Sequence, residues 1–250
     1  MSDKEKPFFV GYLPVPGDLR LFLWAVIAGL TLGAGAIGFM VGTAQDDPGP
    51  GAAFGRQTVM GVIELTPMPV LHVIEGTNRI PEGRTIMMSA GNKSGVMARA
   101  EEADGLLARA SGVLLKRGDI EMLQLRGGRN GLAILEDEGE VPEPEPLGRW
   151  KLAGEICDGK CMTGGMRPGR GLAHKACANL CISGGVPPVF VSTQPVEGSE
   201  FLMISGPDGG PLPQVVYDRM AQFVSLEGEI TRHGDLLVLA IDPDSVEVLP

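Results

Sequence analysis

The chain contains the same stretch of sequence twice. Residues Arg84 to Leu125 align without a gap on Glu200 to Ile241 at a constant offset of 116 positions. Met87 falls on Met203, Ser89 on Ser205, Gly112 on Gly228, Gly118 on Gly234, Asp119 on Asp235 and Leu123 on Leu239. The last part of the alignment, GVLLKRGDIEMLQL against GEITRHGDLLVLAI, reads in both copies as a β-hairpin with a Gly-Asp turn. Earlier pieces correspond as well: VMGVIEL (Val59 to Leu65) resembles KLAGEIC (Lys151 to Cys157), and PVLHVIEG (Pro69 to Gly76) resembles PVFVSTQPVEG (Pro188 to Gly198). Whatever fold one copy adopts, the other must be able to adopt. The repeat predicts two tandem domains, 57–136 and 147–250. Between them, residues 137–146 hold the acidic, proline-rich GEVPEPEP, a composition that favours a stiff, extended linker.

Each copy has the order strand, strand, strand, helix, strand, strand. In the second copy the strands fall near Trp150 to Ile156, Val189 to Thr193 and Phe201 to Ser205, the helix at Pro213 to Val224 and the closing hairpin at Leu226 to Leu249. The chain is therefore mainly β. The β-β-β-α-β-β order resembles an oligonucleotide/oligosaccharide-binding (OB) barrel in topology. A net charge of −10 and a pI near 4.8 exclude a polyanionic partner, because nucleic-acid binding depends on Lys and Arg displacing counterions. An aromatic content of 5% removes stacking platforms too.

One uncharged run, Leu21 to Thr43, precedes the repeat. At 1.5 Å per residue it covers the roughly 30 Å hydrocarbon core of a bilayer, so residues 19–43 read as a transmembrane helix. The apolar run is longer than that of a cleaved signal peptide, and Gly42-Thr43-Ala44-Gln45 is a poor cleavage site. Lys4, Lys6 and Arg20 precede the span, and no Lys or Arg follows until Arg56. By the positive-inside rule, the tail 1–18 is cytoplasmic and the bulk is exported, which in a bacterium means the periplasm. The tail's Phe8, Phe9 and Tyr12 among Pro7, Pro14 and Pro16 suit a membrane interface. Gly29, Gly33, Gly38 and Gly42 recur at helical spacing and would let a partner's transmembrane helix approach closely. Residues 44–56 read as a Pro/Gly spacer.

Aligning the copies isolates an insertion. The first copy passes from Gly61 to Pro69 almost directly, whereas the second runs from Gly154 to Pro188, and all four cysteines lie in the excess, 157–187. The first copy has no cysteine, so barrel stability alone does not call for the thiols. Asp158-Gly159 reads as a hairpin turn with Cys157 and Cys161 on either side. Residues Leu172 to Ile182 permit a short helix stopped by Gly184 and Gly185. At about 100° per residue, His174, Cys177 and Cys181 share a face of that helix. The preferred ligand set is Cys161, His174, Cys177 and Cys181, with Cys157 competing for the turn position and Met162 and Met166 as further donors. Three thiolates and an imidazole suit zinc, copper(I) or an iron–sulfur cluster, and thioethers favour copper(I). Two readings compete with a metal. Four cysteines in an exported protein can form two disulfides stapling a loop with little core of its own. Cys177 and Cys181 can also form a redox-active thiol pair.

The residues Gly154, Glu155, Asp158, Lys160, Cys161, Pro168, Gly169, Gly171, His174, Cys177, Ala178, Cys181, Gly184, Gly185, Pro187 and Pro188 spell GEI-x-D-x-K-C…PG-x-G-x-x-H-x-x-C-A-x-x-C-I-x-GG-x-PP. This loop, and no more of the chain, resembles a segment of a family of membrane-anchored bacterial periplasmic proteins associated with respiratory or redox complexes. The resemblance favours Cys161 over Cys157. It implies no activity.

No G-x-S-x-G, P-loop or dinucleotide fingerprint is present. His72 and His233 read as structural, and the recurring Asp119 and Asp235 as turn residues. The sequence points to a non-catalytic accessory subunit of a redox complex. A structural assembly factor with a disulfide-stapled loop and a thiol-disulfide oxidoreductase are the alternatives.

Overall fold

The run expected to cross a membrane is one helix, α1 (Arg20–Ala44), in the computed structural model, which describes residues 15–44 and 49–250. Most of the N-terminal tail, with its interfacial aromatics, lies outside the described residues. The helix opens where Leu19 N donates to Pro16 O. Its segment Arg20–Gly42 has a mean hydropathy of 2.0 and no buried residues. A helix apolar on every face and covered on none is long enough and apolar enough to span a bilayer as a single-pass anchor.

Residues 48–250 form a separate compact unit that is mainly β. Its first half holds β1 (Ala52–Glu64), β2 (Val70–Glu75), β3 (Thr85–Ser89), the single turn α2 (Met97–Ala100), β4 (Leu106–Arg117), β5 (Ile120–Leu125) and β6 (Leu132–Glu138). The strands are ordered β1-β2-β3-β5-β4-β6, and an additional β1–β4 pairing closes the first five into a barrel. The second half follows the same plan with β7 (Glu145–Asp158), α3 (Lys175–Ser183), β8 (Pro188–Val196), β9 (Ser199–Ser205), α4 (Gln214–Arg219), β10 (Phe223–His233), β11 (Leu236–Ile241) and β12 (Glu247–Val248). Its order is β11-β9-β8-β7-β10-β12, and β11–β10 pairing closes that ring.

The sequence offset recurs in the hydrogen-bonded registers. Met87↔Met122 and Leu114↔Leu123 in the first half correspond to Met203↔Val238 and Ile230↔Leu239 in the second. Over β1 and β7 the match shifts by one residue from the sequence comparison. Gly61 takes the place of Gly154 and Glu64 that of Cys157, as their partners Val73, Val70, Ser192 and Val189 require. Both glycines are needed sterically: a Cβ would fall 2.2 Å from His72 O at Gly61 and 2.1 Å from Val191 O at Gly154.

Several boundaries differ from the sequence reading. The spacer ends early, because β1 begins at Ala52, held extended by pairing Ala52 with Lys116 and Arg56 with Val113. The acidic linker shrinks from both ends as β6 runs to Glu138 and β7 starts at Glu145. The helix expected over 213–224 stops at Arg219, since Ala221 turns left-handed (φ 59°) and Phe223 pairs with Glu155.

Each barrel has its own core, with Ile63, Leu71, Ile86 and Leu123 in one and Ile156, Phe190, Leu202 and Leu239 in the other. A third core lies between the barrels, built from equivalent rows of each. Val70, Met87 and Met122 meet Val189, Met203 and Val238, joined by Cys157, Cys161, Met162 and Cys181. Fully burying such a side chain contributes about 1.5–3 kcal/mol, so the two copies stabilise each other through this face. The insertion sits at its edge.

Candidate metal centre

The β1–β2 connection of the first barrel is short, residues 65–69, whereas the matching β7–β8 connection runs from 159 to 187 and carries the site. Its opening is not the hairpin that Asp158-Gly159 predicts. The Asp158 carboxylate accepts from Cys161 N (2.8 Å) and Thr163 Oγ1 donates to Gly159 O (2.8 Å), winding residues Cys161–Gly165 into a wide helical turn. A short Asp side chain that caps a turn competes with the strand ladder, and here it wins. The loop then passes a 3-10 turn, Leu172–His174, into α3, as the composition predicts. Helix α3 stops where Gly184 N donates to Leu180 O and Cys181 O and Gly185 turns left-handed (φ 88°).

This path brings together three thiols from two elements. Cys161 comes from the wide turn; Cys177 and Cys181 are one turn apart on α3. Their sulfur atoms all lie within 4.8 Å of one another, with Cys161 Sγ 4.0 Å from Cys177 Sγ. Met166 Sδ is 3.7 Å from Cys177 Sγ, on the exposed side. Met162 points the other way, into the inter-barrel core, where its sulfur accepts from Arg117 Nη1 at 3.1 Å.

His174 does not join all three thiols. It precedes α3, and its Nε2 is paired with Asp158 Oδ2 at 2.8 Å, both groups buried. With Asp158 and Cys161 it forms a second group whose ligand atoms lie within 4.8 Å of one another. Cys161 thus belongs to both groups, and each has donors able to hold a metal ion. Cys157 belongs to neither. It sits on β7 in the row position of Glu64, fully buried, and its thiol donates to Glu155 Oε1 at 3.1 Å. Glu155 Oε1 also accepts from Gly171 N at 2.5 Å, which ties the loop back to β7. All four cysteines are free, so the two-disulfide staple is not present. Its geometric requirement, sulfurs about 2.05 Å apart, is far from the 4.0 Å between Cys161 and Cys177.

Electrostatics distinguish the thiols. Burial, reinforced by the Glu155 carboxylate, pushes the Cys157 thiol well up. The neighbouring thiols of Cys161 and Cys181 act on each other, and the interaction shifts them in opposite directions. It raises Cys161, where burial and Asp158 act in the same direction, and lowers Cys181 against the effect of burial. Cys181 is therefore the readier thiolate of the two, helped by the Lys93 ammonium.

Two lysines reach the site that thiol spacing alone does not reveal. Lys93, from a loop of the first barrel, donates to Cys177 Sγ at 2.7 Å and lies 3.8 Å from Cys181 Sγ. The hydrogen bond to Cys177 raises its pKa. Lys160 is buried, which lowers its pKa, and it donates to Ala90 O (2.9 Å) and Asn92 O (2.6 Å) of that same loop. Backbones meet directly here: Gly95 N donates to Gly184 O at 2.8 Å, and a Cβ at Gly184 would fall 1.8 Å from Lys93 O. The site is therefore shared between the barrels. No protein family, curated protein or solved structure matches the chain.

A second buried cluster joins the barrels elsewhere. Glu64 Oε2 pairs with His72 Nε2 (2.7 Å) and Glu64 Oε1 with His233 Nδ1 (2.6 Å). His72 Nδ1 lies 3.0 Å from Thr85 Oγ1 and His233 Nε2 3.0 Å from Thr231 Oγ1. The two histidines, read from the sequence as structural, are buried and joined through the one carboxylate of Glu64.

Proposed function

We propose that this protein is a membrane-anchored, non-catalytic accessory subunit of a respiratory or redox complex whose exported part holds one thiophilic metal ion. The single observation carrying this reading is the convergence of Cys161, Cys177 and Cys181, all free, with sulfurs within 4.8 Å of one another. A tetrahedral ion with bonds of about 2.3 Å spaces its sulfurs about 3.8 Å apart, close to the 4.0 Å between Cys161 and Cys177. A [4Fe–4S] cluster binds each thiolate to a different iron, which would hold the sulfurs further apart. His174, fixed by Asp158, is the natural neighbour of that ion on the Cys161 side, because carboxylate–histidine pairing is how proteins orient such ligands.

The exported part is two tandem OB-like barrels. Strand closure in the order first-second-third-fifth-fourth, with a helix before the fourth strand, supports that assignment. Lys4 and Lys6 before α1, with Arg20 at its first position, support a cytoplasmic N-terminus and a periplasmic body. Gly29, Gly33, Gly38 and Gly42 have no atom within 4 Å of a built Cβ, which leaves room for a partner helix in the membrane.

The spacing of Cys161 and Cys177 also favours a second reading, a thiol pair that closes to a disulfide after a modest shift. Protein purified anaerobically and analysed for metal and free thiols separates the two. One ion per chain, with three thiols that react only after chelation, supports the metal site. No metal together with reversible loss of one thiol pair supports the redox reading and overturns the first.

A further inference from the structure

Met166 stands on the open side of the thiol cluster. It is 46% exposed, whereas Cys161 and Cys181 are 4% and 1% exposed and Cys177 is intermediate. The Met166–Cys177 separation of 3.7 Å and the Cys161–Cys177 separation of 4.0 Å both fall near the about 3.8 Å edge of a tetrahedral four-sulfur shell. Met166 is therefore spaced from Cys177 as a fellow ligand is.

A thioether is soft and uncharged, a donor suited to copper(I) and poorly suited to zinc. Charged side chains surround the thiols. Two lysines, Lys93 and Lys160, flank them, and the buried Asp158 carboxylate, paired with His174, lies beside Cys161. Lys93 donates to Cys177, and Lys160, next to Cys161 in the chain, donates to Ala90 O and Asn92 O. The Lys93 hydrogen bond to Cys177 Sγ is compatible with metal ligation, since a ligating sulfur accepts such bonds from the surrounding shell.

We infer that the cluster takes copper(I), held by Cys161, Cys177 and Cys181, with the Met166 thioether as a fourth, exchangeable ligand on the solvent side. This rests on the reading of the cluster as a metal site and adds the identity of the ion and its route. The gradient from exposed thioether through half-buried Cys177 to buried Cys161 and Cys181 lets an incoming ion replace one ligand at a time.

The test uses the full chain in detergent, freed of metal under anaerobic conditions. It is titrated with copper(I) against bicinchoninate and, separately, with zinc(II) against a chromogenic zinc chelator. The parent is expected to bind one copper(I), and Met166→Leu to weaken that binding roughly tenfold while leaving zinc(II) affinity unchanged. Equal copper(I) affinity in Met166→Leu and parent overturns the inference but not the metal site. So does a parent that retains zinc(II) against stoichiometric copper(I). A parent that binds neither ion contradicts the metal site itself.

Discussion

Lys93 Nζ lies 2.7 Å from Cys177 Sγ, so a loop of the first barrel supplies a cation to thiols carried by the second. If that ammonium stabilises a thiolate-bound ion, Lys93→Gln will weaken metal binding about tenfold, the scale typical of groups that hydrogen-bond to metal ligands. Lys93→Arg, which keeps the charge, will recover part of it. Competition titration reads both.

The contact depends on bare backbone. A Cβ at Gly95 would fall 1.8 Å from Gly185 O, so Gly95→Ala will cost about 1–3 kcal/mol by overpacking and weaken metal binding with it. Nothing lies within 4 Å of a Cβ at Gly91, so Gly91→Ala will stay within about 0.5 kcal/mol of the parent. Urea unfolding measures the difference.

Cys157 should be dispensable for the site. Cys157→Ala will retain one ion per chain at a stability cost of about 1 kcal/mol, whereas Cys181→Ala will lose the ion. Metal analysis of the two purified variants decides between these outcomes.

Acid should loosen the inter-barrel contact at Glu64. Burial alone would raise this carboxyl, but hydrogen bonds and charge attraction from His233 and His72 outweigh it and hold its pKa below the ordinary glutamate value. A depressed folded-state pKa contributes stability that is fully present above the unfolded value and is lost as pH falls through the folded one. The melting temperature will therefore fall below about pH 4.5, and Glu64→Gln will lower it at neutral pH by the equivalent of about 1–3 kcal/mol while flattening that acid dependence.

Residues 48–250 form a compact unit separate from α1. A chain starting at residue 49 is accordingly expected in the soluble fraction with its metal bound, and the full chain in membranes after carbonate washing. Recovery of the full chain as soluble protein would contradict the anchor.

The repeat was legible because the residues that align at the constant offset are those that pair: Met87 with Met122 and Met203 with Val238 are the same rung of two ladders. The insertion was legible by subtraction, and α3 by the glycines that end it. Three things were hidden. Asp158 spends its side chain on a helical turn, which the dipeptide Asp-Gly does not disclose. His174 lies in a 3-10 turn of about three residues per turn, so a phase of 3.6 misplaces it relative to Cys177 and Cys181. Most consequentially, no periodicity within either copy tells which row of a barrel faces the other. Lys93 and Cys177, 84 positions apart, meet only because Val70, Met87 and Met122 pack on their counterparts.

X-ray absorption at the edge of the bound metal tests the central claim most directly. The account predicts one ion per chain with at least three sulfur ligands at about 2.3 Å and no metal neighbour, unchanged in Cys157→Ala. A shell dominated by nitrogen or oxygen, a metal–metal contact, or loss of the signal in Cys157→Ala would contradict it.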